Sequence, residues 1–393
     1  MEKARKRWGL GVALLLVAGT GLAVATPTVA SAVPQSPRAC GMPSRSGHIA
    51  GIMPAIGMAG KCPANASRVT RNITKVHIFS DPANGTPPLL FHGGPVMMTP
   101  SISPLTVTPI FWNPSSFPMT SAYKSIITSY LTDVAAASGQ NTNVFSTLNE
   151  YSGTNGQINY SVALGTVIND THALPRSACT VARNDKRGIY ADGTGYSACL
   201  DDAQLQTEIN NVTAANGLPR DLTHIYVLFL AKHVEQCFNA GSTTTSANQC
   251  TINHQPSATY CAYHSDATSN AIYANMPFPV YQSGTGFTCG SDARFPVVES
   301  PNGNPDADVE VSPTSHEISE AITDPDTVTG WYDSSGFENG DECAYVFGAT
   351  QGTAGALYNQ VINGGHFLTQ EEFSNKDFAI TAAGCVPSAA AEA

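Results

Sequence analysis

Between Phe91 and Phe278 the apolar positions switch between a period near two and a period near 3.6. Leu105–Trp112 (LTVTPIFW) is a β-branched and aromatic run that predicts a strand. In residues 121–138, Tyr123, Ile126, Ile127, Tyr130 and Leu131 recur at i, i+3, i+4 spacing, which predicts a helix with one apolar face. A second short helix is expected at NVFSTLNEY (143–151), and QINYSVAL (157–164) alternates like a strand. Residues 201–216 carry acids in their first turn and Gly217 after their end, a helix with start and stop signals. Thr223–Ala231 is a continuous apolar run, expected as a central strand covered on both faces. ATYCAYHS (258–265) and AIYANMPF (271–278) read as two further strands. Strands and helices alternating around one sheet predict an α/β fold: a single disulfide-bonded domain, Phe91–Ser388, with a mixed sheet and flanking helices.

The N-terminus breaks this pattern. Lys3, Arg5, Lys6 and Arg7 precede an apolar run that ends in the small-residue site Ala30-Ser31-Ala32, so residues 1–32 read as a signal peptide. Residues 33–90 are rich in Pro, Gly, Ala and Ser with little periodicity, an N-terminal extension or pro-segment. No later stretch is long and apolar enough to span a bilayer, so no membrane partner is expected after signal cleavage. The full chain carries −11. Loss of the leader, net +3, brings that to −14, which argues against nucleic acid as a partner.

All ten cysteines follow the leader. An even number in an exported chain predicts disulfides, and the absence of any C-x-x-C pair speaks against a cysteine zinc site. Neighbour order suggests Cys40–Cys62, Cys179–Cys199, Cys237–Cys250, Cys261–Cys289 and Cys343–Cys385. Only 12% of residues are charged, against 34 Gly and 26 Pro, so the expected product is a secreted, extracellular, loop-rich fold tied by bridges.

Chemistry concentrates in SPTSHEISEAITDPDTVTGWYDSSGFENGDEC, Ser312–Cys343. Ser312 reads as an N-cap with Pro313 at N1, and Asp324 before Pro325 as the stop. The resulting helix, Pro313–Thr323, sets His316 and Glu320 four apart on one face, with Ile318, Ala321 and Ile322 on another. That face is expected to point the polar pair away from the core. An imidazole and a carboxylate one turn apart can hold zinc or a similar ion. Glu317 takes the place of the general base in the zinc-protease pattern His-Glu-x-x-His, although it could equally close a capping box with Thr314. GFENGDEC offers Glu338, Asp341 and Glu342 to complete the set, with Glu338 and Asp341 the leading pair; Asp324 and Asp333 are further possibilities, His264 and His366 more distant ones. Calcium is the rival ion, because the acidic stretch is dense in oxygen ligands, but it lacks EF-hand spacing.

Other catalytic sets are weaker. No G-x-S-x-G occurs, GYSAC (195–199) ending in cysteine. HGGP (92–95) reads as a turn, and His264 as a histidine packed beside a disulfide.

FHGGPVM, VTPIFW and YKSIITSYL, followed by CAYHS, the His-Glu-x-x-Glu block with its GWYD and ENGDEC, and YNQVINGGHFLTQEEFSN, resemble the phosphate-induced protein 1 (EXORDIUM-like) family of secreted proteins. The likeness spans Phe91 to Cys385. It implies export and a cell-wall or extracellular role, and its microbial members with this block look like metallopeptidases. The combined expectation is a secreted, zincin-like, metal-dependent endopeptidase, in which a metal-activated water attacks a peptide bond. His316, Glu320, Glu338 and Asp341 would hold zinc (calcium possible), Glu317 would be the base, and AIYANMPF would be the edge strand that aligns a protein or peptide substrate. The alternative is a non-enzymatic EXORDIUM-like protein bound to cell-wall material, with a structural calcium site.

Overall fold

A computed structural model describes residues 41–43, 49–54, 88–179, 195–239, 241, 250–251, 260–279, 281–282, 286–287, 289–290, 297–334 and 336–389. The expected signal peptide and the Cys40–Cys62 bridge lie outside these residues. The fold is mixed α/β, built on an eight-stranded sheet. Its strands are β1 (Gly41–Pro43), β2 (Ile49–Pro54), β3 (Leu105–Trp112), β4 (Val162–Leu164), β5 (Ile168–Asp170), β6 (His224–Phe229), β7 (Tyr260–Asp266) and β8 (Ile272–Met276). The order is β1-β2-β7-β8-β6-β3-β4, with β5 also on β3.

The centre of the sheet is parallel. β6 pairs with β3 on one side and β8 on the other, and its residues from Ile225 to Phe229 are fully buried, as its unbroken apolar run requires. β3 tolerates Pro109 inside the sheet for a local reason. β4 pairs with residues 105–107 of β3 and β5 with residues 110–112, so the proline's missing N–H falls at the break between them. β7 then runs antiparallel to β8, and β2 antiparallel to β7. Two expectations change here. AIYANMPF supplies an interior strand and not an edge, because β7 covers its other side. The N-terminal extension also contributes β1 and β2, which its low periodicity concealed.

Helix α1 (Ser121–Ala136) buries Tyr123, Ile127, Tyr130, Leu131 and Val134, the stripe its spacing predicts. NVFSTLNEY forms a 3-10 helix, Val144–Glu150. Helix α2 (Asp202–Ala215) opens with a reciprocal Asp201–Gln204 capping box. Helix α3 (Pro305–Thr323) packs across β7 and β8 and against α1. It starts eight residues before the predicted Pro313. The Asn304 side chain accepts from the Ala307 N–H and Pro305 occupies the first turn, so the true start carries the same signature as Ser312-Pro313. Pro313 lies within the helix, where a proline costs about 3 kcal/mol in isolation. Burial of every residue from Ala307 to Thr323 offsets that cost. Short helices α4 (Asn339–Glu342) and α5 (Asn375–Thr381) follow.

Four of the expected disulfides are present: Cys179–Cys199, Cys237–Cys250, Cys261–Cys289 and Cys343–Cys385. They suit an oxidising compartment. No described helix is long and apolar enough to cross a membrane.

Candidate metal centre

The sheet, α3 and α4 meet around two imidazoles and five carboxylates: His264, His316, Glu317, Glu320, Asp324, Glu338 and Asp341. All are buried. This corrects the expectation that His316 and Glu320 point away from the core. The helix that carries them is covered on every side, by the sheet, by α1 and by the loop ending in α4.

His316 and Glu320 meet as their spacing requires, Nε2 lying 2.9 Å from Oε1. Asp341 joins them from α4, its Oδ1 3.8 Å from the same nitrogen. Its backbone N–H donates to Glu320 Oε1 at 3.1 Å, and its Oδ2 accepts the Glu338 N–H at 3.4 Å, which leaves Oδ1 facing the histidine. The approach of α4 depends on Gly340. A Cβ there would stand 2.7 Å from His316 Nδ1 and 2.9 Å from Glu320 Oε1. Gln370 holds the loop by donating to the Gly340 carbonyl at 2.6 Å. Gly330, in the left-handed region at φ 77°, turns the GWYD stretch back over the end of α3.

His264, expected to be a packed bystander, belongs to the centre. β7 delivers its Nδ1 to 3.3 Å from Glu317 Oε2 and 3.5 Å from Glu320 Oε2. Its Nε2 sits 3.0 Å from the Asp324 carbonyl oxygen and 3.6 Å from Glu338 Oε1. Glu338 therefore stands beside His264. The sequence offered one signal, the CAYHS strand, but no rule of spacing links position 264 to position 317. Glu317 is no capping-box residue, since it lies mid-helix; its other oxygen accepts the Met53 N–H at 3.2 Å. Asp333 instead pins the loop by accepting the Phe337 N–H at 2.8 Å. His366 stacks on Tyr358 with ring centroids 3.9 Å apart, outside the cluster. His92 stacks on Tyr332 in the turn expected for HGGP.

Burial sets the electrostatics. It raises Glu317 above the usual carboxylate range and pushes Asp324, Glu338 and Asp341 well above it. Glu320 goes the other way, to about 2, because His316 and His264 overcome its burial. Burial also works against charging the imidazoles, but the neighbouring acids prevail: His316 rises to about 9 and His264 rises too. A buried cluster this rich in carboxylates is short of positive charge.

Two triads within it bring their ligand atoms within 4.8 Å of one another: His316, Glu320, Asp341 and His264, Glu317, Glu320. Glu320 belongs to both. His316 Nδ1 and Asp341 Oδ1 are buried without a hydrogen-bond partner. These residues fit a divalent cation.

A separate group stands at the end of β5. His172 Nδ1 lies 3.0 Å from Asp170 Oδ1 and 2.7 Å from Glu208 Oε1, with the imidazole mostly exposed. Burial, ahead of the neighbouring groups, lifts Asp170 to about 6.

Comparisons of the chain with protein-family models, with curated proteins and with solved structures return no match.

Proposed function

We propose that the protein is a secreted metal-dependent endopeptidase of zincin-like design. The observation that carries this reading is the buried triad His316–Glu320–Asp341 with Glu317 one residue along the same helix. His316, Glu320 and Asp341 would hold a zinc ion, with Glu338 and His264 close enough to complete the set. A bound divalent ion supplies a Lewis acid that polarises a peptide carbonyl. Glu317 holds and moves the proton. Its burial raises its proton affinity towards the range useful to a general base near neutral pH. His264 orients it, through the 3.3 Å contact with Oε2. The resemblance to EXORDIUM-like secreted proteins agrees with export and an extracellular role.

Complete burial of the ligands favours a second reading, a structural cation in a non-enzymatic wall-associated protein. Metal content of the purified chain, measured with casein cleavage, separates the two. One equivalent of zinc is expected, with chelator-sensitive cleavage once the chain has been cut between residues 54 and 89 to release the N-terminal extension. Calcium alone without cleavage would establish the second reading.

A further inference from the structure

The outer edge of β7 would be open if β2 were not there. β2 pairs with it antiparallel, Ile52 opposite Tyr263 and Gly51 opposite His264. An occupant of this edge therefore runs directly past one of the imidazoles. The ladder shifts register between Tyr260 and Ala262. At that irregularity the N–H of Met53, opposite Ala262, donates to Glu317 Oε1, and Met53 is fully buried. β2 also packs against α3 and α4, the two helices that carry the acids. Antiparallel addition to a sheet edge is a standard way for an extended peptide to bind, with main-chain hydrogen bonds giving affinity and alternate side chains giving selectivity.

We propose that the outer edge of β7 is the docking edge for an extended peptide, and that β2 is its intramolecular occupant. The N-terminal segment keeps the site closed until the chain is cut between β2 and the body that begins near Leu89. Burial of Met53 identifies the side-chain class the edge accepts at that register, an apolar residue of methionine size. Closure of the site rests on the endopeptidase reading; strand docking does not.

The test uses the full chain carrying a specific protease site inserted after Asn65, folded, loaded with zinc and then cut. Tethering holds the occupant at a millimolar effective concentration, so cutting at micromolar protein lowers it on the order of a thousandfold. Casein cleavage should rise after the cut. It should fall again on adding a synthetic peptide of residues 47–56, and the same peptide with Met53→Asp should not suppress it. In the uncut chain, Met53→Pro removes the N–H and should raise activity, with its melting curve showing that the body remains folded. Equal cleavage before and after the cut would overturn the proposal and leave the endopeptidase reading standing. If neither form cleaves casein but labelled wild-type peptide binds the cut chain about tenfold tighter than the Met53→Asp peptide, the endopeptidase reading fails and the docking edge stands. Failure of the wild-type peptide to bind would sink the docking edge.

Discussion

His264 Nδ1 lies 3.3 Å from Glu317 Oε2, although 53 residues separate them in the chain. β7 presents the imidazole and α3, crossing that strand, presents the carboxylate. The two residues join what would otherwise be separate groups, because His264 also reaches Glu320 and Glu338. A helix alone could place His316 and Glu320; only the sheet supplies the second imidazole.

Glu317→Gln should retain the metal and the fold while losing activity. The amide keeps the shape and can still accept the Met53 N–H, but it cannot take a proton. Removal of a positioned base costs about 10²–10⁴-fold in rate. The check is cleavage rate on cut, zinc-loaded protein together with metal content. Wild-type activity in this variant would remove Glu317 from the chemistry.

His316→Ala and Glu320→Ala should each lose the metal, since each deletes a triad member. Chelation should lower the melting temperature of the wild type, because it leaves a buried set of carboxylates without a cation. An ion present at a hundred times its Kd stabilises by about 2.7 kcal/mol. Acid should weaken binding in parallel, as protons compete for His316 and Asp341. Identical melting curves with and without chelator would show that no ion is held.

The sheet was largely legible in the chain. β3, β6, β7 and β8 announce themselves as β-branched and aromatic runs, and α1 by its spacing, since these patterns reflect burial on one or both faces. The start of α3 was not, because Asn304-Pro305 and Ser312-Pro313 carry the same capping chemistry, and only tertiary packing keeps a proline inside the helix. His316, Glu320 and Glu317 were legible from local periodicity. Asp341 was legible only as one acid among several, its selection depending on the close approach of Gly340. His264 and β2 reach the site through strand pairing across long separations, which local patterns do not encode.

Gly340→Ala should damage the centre without replacing any of its ligands. The added methyl would meet His316 and Glu320 at less than ordinary contact distance. Both lie on a packed helix and have little room to retreat. Overpacking of this kind costs about 1–3 kcal/mol. Thermal unfolding and metal titration should show a lower melting temperature and weaker binding together. Unchanged values for both would mean that α4 moves away easily, which contradicts the packing described.

Glu371 gives a pH prediction outside the metal ligands. It packs against Gly348, and burial raises its carboxyl from 4.5 to about 7. The folded protein thus binds this proton more tightly than the unfolded chain. The associated stability is complete below about 4.5 and is lost as pH rises through about 7. Glu371→Gln cannot ionise, so it should escape that loss. The melting temperature of the variant relative to wild type should climb between pH 4.5 and 7 and level off above. Parallel curves for the two proteins across that window would show that Glu371 titrates as it does in the unfolded chain.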